Sequence, residues 1–348
     1  AFSGETLESL GVQETRDLPL VTPGLVISQI SSAQITLRGV STSNLNLSGD
    51  PGVGVYLDDV YIARASAAFQ DFFDTDRIEV LRGPQGTLFG RNTPGGVISI
   101  YSRAPSFESD GKLTATYGSE DLLRVEGAFG GAIVDDFLAG RIAFVRERRD
   151  GWLTNLFDND DVDDKDLTSV RIGFRLQPSE AVSMVLRADY SKDKGTGSVF
   201  KATKPGLAND IGGVSPIGRR DAINANDRFT KDTRNKGASL RVNWDFAENW
   251  TLSSITGYRV HETADTGDLD DTQLQTAYFD NLSYSRTLQQ ELQVTSTSVE
   301  GLDWVAGVFA WWEDADATLD FPFPLFGIRP LTLSDIETFS IAGFFQGS

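Results

Sequence analysis

Cysteine is absent from the 348 residues, and His261 is the one histidine. Disulfides, thiolate nucleophiles and Cys-ligated zinc are therefore excluded, and the lack of cysteine is compatible with an oxidising compartment without requiring one. A catalytic triad or a His-rich metal site would have to be built around His261 alone. That residue stands beside Arg259 in an alternating pattern and reads as a solvated or lumen-facing strand residue. No run of about 18 apolar residues occurs, which excludes a transmembrane helix but not a barrel, whose strands alternate. Basic residues are scarce: 31 Lys and Arg stand against 50 Asp and Glu, a net charge of -19. Such a chain repels phosphate backbones, so nucleic acid is not an expected partner. Carboxylates are abundant, yet no pair is set apart by spacing, and neither an enzyme nor a cofactor is expected. The chain opens Ala1-Phe2-Ser3-Gly4, without a basic and apolar leader, which implies that any signal peptide has been removed.

What is present falls into two parts. Residues 1–106 read as a mixed α+β unit. Ser3 is placed to cap a short helix with Glu5 in its first turn, Leu7 and Leu10 on one face and Gly11 at its end. Strand-length pieces follow at Gln34 to Leu37, Val53 to Leu57, Ile78 to Leu81 and Gly96 to Tyr101.

Beyond Pro105, residues 107–348 change to long strands of period 2. Val170, Ile172, Phe174 and Leu176 alternate with Ser169, Arg171, Arg175 and Gln177, and the same holds over 182–191 and 238–246. Connections alternate between tight turns (178–181, 247–249, 300–303) and long polar loops (150–166, 192–232, 263–281, 314–335). Outer-membrane barrels sort their connections in this way, with short periplasmic turns and long extracellular loops. Alternation lasts about nine or more residues per strand, the span of a bilayer core. Trp244, Trp250, Tyr258, Trp304 and Trp312 are placed toward strand ends, as in an interfacial girdle. Arg124, Arg171, Arg175, Arg187, Arg241 and Arg259 share the polar phase. A lipid-facing arginine near the midplane costs roughly 2–4 kcal/mol, so this phase must face a lumen.

Between the two parts lie Val53-Gly-Val-Tyr-Leu-Asp-Asp-Val-Tyr61, then the stretch from Asp76 to Asn92 containing Arg82-Gly-Pro-Gln-Gly86, and Gly95-Gly-Val-Ile-Ser-Ile100. The glycines permit positive φ and close backbone approach. Walker spacing is missing and no helix-forming pattern follows, so this is not a phosphate loop. With Thr36-Leu-Arg-Gly39, these stretches closely resemble the plug domain of TonB-dependent outer-membrane receptors. Trp250 to Arg259 and Gln289-Gln-Glu-Leu292 resemble early barrel strands of such receptors.

The resemblance implies an α+β plug domain followed by antiparallel transmembrane β-barrel strands in the cell outer membrane. About ten strands are expected here against roughly 22 in such barrels, so the barrel is expected to be incomplete and the chain a fragment. It implies active uptake of a scarce small-molecule nutrient, whether siderophore-iron, haem, cobalamin or saccharide. The partners implied are outer-membrane lipid and TonB at the inner membrane, whose contact segment is expected upstream of this chain. Plug signature residues are Gly39, Asp58, Asp59, Glu79, Gly83, Pro84, Gly86, Gly90, Gly95 and Gly96. Arg38 and Arg82 match plug arginines that pair with barrel carboxylates in the family, and Glu291, in the polar phase of its strand, is the expected partner of such a latch. Substrate-facing residues are expected in the plug loops: Asn44, Asn46, Ser48, Arg64 and Ser66.

The acidic run Asp158-Asn-Asp-Asp-Val-Asp-Asp-Lys-Asp166 suggests calcium by density but lacks the glycine and terminal Glu of an EF-hand loop. It reads as a solvated loop, with no metal assigned. Two other architectures compete. A passive channel or adhesin barrel leaves the first hundred residues unexplained, and a secreted saccharide-binding β-protein would be soluble without detergent.

Overall fold

Capping sets the first elements. After β1 (Phe2–Ser3), the Ser3 hydroxyl accepts the Thr6 amide at 3.2 Å and α1 runs Gly4–Ser9. Leu7 is buried, but Leu10 is the C-cap and 54% exposed, so the two leucines do not share the expected face. The computed structural model describes residues 1–29, 33–42, 47, 49–90, 92–197, 199–299 and 302–347.

The plug continues through β2 (Leu25–Gln29), β3 (Ala33–Leu37), β4 (Val53–Leu57), β5 (Val60–Tyr61), β6 (Thr75–Arg82), α2 (Gly86–Phe89) and β7 (Gly96–Ser102). β2 and β3 form a hairpin of their own. The others make a five-stranded sheet in the order β1-β6-β7-β4-β5, in which β4 runs parallel to β7. Leu18, Leu37, Ile78 and Ile98 are fully buried at its core. The glycine-rich loop itself takes one helical turn, α2, and a strand, β7, follows it as the sequence pattern implies.

Two of the signature glycines are required by close approach. A Cβ on Gly96, whose φ is 140°, would lie 2.2 Å from the Leu81 carbonyl oxygen, and one on Gly95 would lie 2.9 Å from that of Gly52. Asp58 and Asp59 occupy the β4–β5 turn at φ 50° and 68°, the left-handed pair that a two-residue hairpin needs. Asp58 also ties the turn to the end of β7, accepting the Ser102 amide at 2.9 Å and its hydroxyl at 2.6 Å.

The second part is a wall of ten antiparallel strands: β8 (Asp110–Tyr117), β9 (Leu123–Val134), β10 (Leu138–Arg149), β13 (Lys165–Ser179), β14 (Val182–Gly195), β16 (Thr230–Ala247), β17 (Trp250–Asp268), β18 (Tyr278–Val299), β19 (Leu302–Asp320) and β20 (Leu331–Gly347). Each pairs with its neighbour in the chain, and β8 and β20 are the two edges. The long loops carry a small sheet of β11 (Leu153–Asn155), β12 (Asp161–Val162) and β15 (Ala222–Ile223), together with the one-turn α3 (Leu207–Asp210).

Strands β17 and β18, of 19 and 22 residues, overshoot the 9–11 that a bilayer core needs. The connections expected at 263–281 and 314–335 therefore narrow to 269–277 and 321–330. Apolar alternation stops where lipid stops, but ladder hydrogen bonding continues into water.

Aromatic residues mark the lipid band. Rings of Trp244, Phe246, Trp250, Trp304 and Phe345 follow one another across the short-turn end, with centroids 5.2–6.0 Å apart. Tyr258, Leu288, Trp312 and Phe339 lie in register across four adjacent strands as a second row. Trp304 and Trp312 are eight residues apart, about 26 Å along a strand, close to the height of an outer-membrane apolar band. Tyr258 and Trp312 thus lie mid-strand yet at an interface, because the strands run on beyond it.

Between the rows, Ile172, Phe174, Leu186 and Leu240 are exposed outward while Arg171 is buried on the other face. Leu186→Arg is expected to cost about 2–4 kcal/mol. Urea unfolding in bilayers, compared with the lumen-face variant Ser183→Arg, would show the difference.

Candidate functional site

The outward row needs only lipid, whereas the inward row must find partners for its charges; some lie within the wall, as Arg124 with Glu126 and Glu147 and Arg259 with Asp189, and others on the plug. Residues 71–74 run down the wall with one cation for each residue. Lys165 meets the Asp71 carboxylate at 3.2 Å, Arg124 donates to the Phe72 carbonyl at 3.2 Å, and Arg171 donates to the Phe73 carbonyl at 3.3 Å while lying over its ring. Arg141 then grips Asp74 through two nitrogens, at 2.6 and 2.5 Å. Glu14 joins the top of this row, 3.3 Å from Lys165. Burial pushes the Asp71 carboxyl above its ordinary pKa, and the Glu14 charge adds to this. Burial acts the same way on Glu14, but Lys165 and Arg16 outweigh it and hold that carboxyl below its usual value.

A second line of contacts follows residues 58–66. Arg187 lies 3.7 Å from Asp58, and Arg241 pairs with Asp59. Gln289, 2% exposed, donates to the Asp59 carbonyl at 3.0 Å and accepts the Tyr61 amide at 3.0 Å, completing the end of the hairpin. Arg64 sends Nε to Glu313 at 2.6 Å and Nη2 to the other carboxylate oxygen, while Nη1 donates to the Leu47 carbonyl at 2.7 Å. His261 is buried here rather than solvated. Its Nε2 meets the Ser66 hydroxyl at 2.7 Å and its Nδ1 meets Asn235 Oδ1 at 2.8 Å.

Above these contacts a cleft opens between the plug and the long-loop ends of β18, β19 and β20. Gln34, Thr42, Leu47 and residues 62–66 line one side, and Asn281, Ser283, Ala317, Leu319, Thr332 and Ser334 the other. The open space is about 1030 Å³, including the part continuous with solvent. Among the described residues Arg64 is the one charged residue in its lining, set among amides, hydroxyls and aliphatic groups such as Ile35, Leu47 and Leu319.

Of the residues expected to face substrate, Arg64 and Ser66 line this cleft, although both are also engaged with the wall. Asn44, Asn46 and Ser48 lie outside the described residues. Among the described residues Arg38, Arg82 and Glu291, the expected latch, do not meet. Both arginines are exposed, and among the described residues neither makes an ion pair. Glu291 faces the lumen with Asp59 and Arg241 as charged neighbours and accepts from Gln293. Plug–wall pairing is carried instead by Arg64 with Glu313, and by wall cations on plug carboxylates. Its sequence signal was present: Arg141 and Glu313 occupy the inward phase of their strands.

The acidic run 158–166 serves as a loop scaffold. Asp161 accepts from Thr154 and Asp164 from the Thr196 amide, and among the described residues no three His, Asp or Glu side chains are arranged to hold a metal.

Glu313 is 1% exposed with Arg64 as its counter-ion, so Arg64→Ala is expected to cost about 3–5 kcal/mol. In a double-mutant cycle with Glu313→Ala, read by denaturant unfolding, the double variant should cost clearly less than the two singles together. Additive costs would show that the pair is not coupled.

Comparison with known proteins agrees with this architecture. Residues 1–97 match the family model of the TonB-dependent Receptor Plug Domain. Over 156 residues, 44% of this chain, the sequence is 33% identical to the pesticin receptor of Yersinia enterocolitica serotype O:8, spanning 23% of that protein. Over 324 residues, 88% of this chain, it is 22% identical to the catecholate siderophore receptor Fiu of Escherichia coli O157:H7, spanning 40% of it. The fold superposes with a TM-score of 0.79 on the ferric yersiniabactin uptake receptor FyuA from Yersinia pestis, at 19% identity, covering 99% of this chain and 60% of that one. The chain thus spans less than two thirds of each of these receptors. Residues 1–97 are thus a plug domain of the TonB-dependent receptor kind, and the antiparallel wall that follows has the fold of outer-membrane receptors that carry such a plug.

Proposed function

We propose that the protein takes a ferric siderophore across the outer membrane, drawing on TonB at the inner membrane, with residues 1–106 as plug and 107–348 as the barrel portion of this chain. The observation that carries this reading is the cleft. It lies at the long-loop end, where an extracellular solute arrives, and its floor is the plug segment 62–66 that is bound to the wall. A ligand there touches the plug and the wall together, which is what a device that must report occupancy to the far side needs. The relatives named for siderophore and ferric uptake narrow the cargo from the broader nutrient set. Arg64 and Ser66 are the residues we assign to cargo contact. A single cation among amides and hydroxyls suits a large chelate carrying few negative charges better than a highly charged one.

A passive channel is disfavoured by the paired charges between plug and wall, since such a stopper would have to be removed before anything passed. A soluble saccharide-binding protein is disfavoured by the outward apolar rows.

The test is iron-55 uptake by a deletion strain carrying the gene, supplied with single ferric siderophores, with TonB present or absent. One siderophore should support uptake only with both present, and Ala317→Trp, which fills the cleft, should weaken its binding at least about tenfold, or 1.4 kcal/mol. Equal uptake of every siderophore in the TonB-deficient strain would overturn the proposal.

A further inference from the structure

Beyond the cleft and the plug contacts, the long loops hold a group of buried carboxylates that nothing in the transport reading uses. The strand pairing of Thr230 with Thr266, and the bond from the Thr266 hydroxyl to the Arg228 carbonyl at 2.8 Å, bring residues 226–228 beside Asp268 at the end of β17. Asp268 is 0% exposed. Its Oδ1 accepts the amides of Asp270 and Asp271 at 2.9 and 2.8 Å, but its Oδ2 is buried with no hydrogen-bond partner. Asn226 Oδ1 and Asp227 Oδ2, on the facing segment, are buried and unpartnered as well.

Asn226 and Asp227 are adjacent in the chain and the Asp227 amide approaches the Asp268 carboxylate, as the Gln275 side chain approaches that of Asp227; still, among the described residues none of the three acceptor oxygens has a partner at hydrogen-bond distance. Charge compounds the problem. Asp270 and Asp271 lie in the same loop, and among the described residues none of Asp227, Asp268, Asp270 and Asp271 makes an ion pair. A water molecule would satisfy the lone pairs and leave the charge, whereas a divalent cation answers both needs.

Asp270 and Asp271 are not candidates for direct ligation. Asp270 already accepts from the amides and hydroxyls of Thr272 and Thr276 and from the Ala277 amide, and Asp271 holds the amides of Ala202 and Asn224. This leaves two carboxylates and one amide oxygen, fewer acidic ligands than a three-carboxylate cage, in agreement with the absence of such a cage among the described residues. Oxygen donors of this kind, with waters completing six to eight positions, suit a hard cation.

We propose that Asn226, Asp227 and Asp268 are the protein ligands of a calcium site that fastens the 224–229 segment to the 268–277 loop. That loop leads into β18, whose Asn281 and Ser283 line the cleft, so the ion would hold one bank of the cleft from behind. The few ligands place its affinity with extracellular modules, on the order of 10⁻⁴–10⁻³ M.

Calcium chloride titrated calorimetrically into the intact, detergent-solubilised protein is the test, with magnesium chloride for comparison. Saturable binding of calcium is expected, with magnesium at least tenfold weaker. Asp268→Asn keeps the oxygen that caps Asp270 and Asp271 and should weaken calcium at least tenfold. Asp227→Asn, on the other segment, carries the same expectation should the first variant fail to fold. Asp161→Asn, in the separate acidic run, should bind as the parent does. Absence of heat at 10 mM calcium, unchanged binding by both Asp227→Asn and Asp268→Asn, or loss of binding in Asp161→Asn instead, would each overturn the proposal.

Discussion

Each wall strand answers to two solvents at once. Its outward row must be apolar because hydrocarbon offers no counter-ion, and its inward row can be charged only if something inside the barrel supplies partners. Here the plug is that partner. Lys165, Arg141 and Glu313 on the wall would lose counter-ions without Asp71, Asp74 and Arg64 of the plug, and Asp71 and Asp74 would be equally costly without the wall. Neither half of the molecule has a satisfied interior without the other.

These contacts are of two kinds. Residues 58–66 and 71–74 are held by side chains of many different strands, and several of the bonds go to plug carbonyls and amides rather than to side chains. Bonds to the backbone place the chain path itself, whatever side chain stands there. They hold the plug segment beneath the cleft along its length, while leaving a set of separate contacts that can be broken one at a time. Arg64 stands where the cleft meets the plug–wall contacts, lining the one and spanning from Leu47 on the plug to Glu313 on the wall.

Local chemistry explains what could be read directly. Asp58 and Asp59 were legible as a signature and turn out to be a left-handed hairpin turn plus two attachments, one to Ser102 and one to Arg241. Gly95 and Gly96 were legible because no other residue fits under a neighbouring carbonyl. The six polar-phase arginines were legible as lumen-facing, and four of them, Arg124, Arg171, Arg187 and Arg241, reach the plug. Partner choice was another matter. Arg38 and Arg82 looked like the latch because of their motif, whereas Arg64, which sits in no charged pattern, makes the contact with Glu313.

From the sequence alone came the two-part organisation, the strand periodicity, the lipid and lumen faces and the turns that demand glycine, because each depends on residues near one another in the chain or on a repeat of two. The tertiary structure alone decided which plug residue meets which wall residue, that His261 is buried against Ser66, where strands outrun the membrane, and that Asn226, Asp227 and Asp268 come together. Those pairings join residues separated by tens to hundreds of positions. Their partners are chosen by the register of the ladder and the seat of the plug, and neither leaves a local mark on the chain.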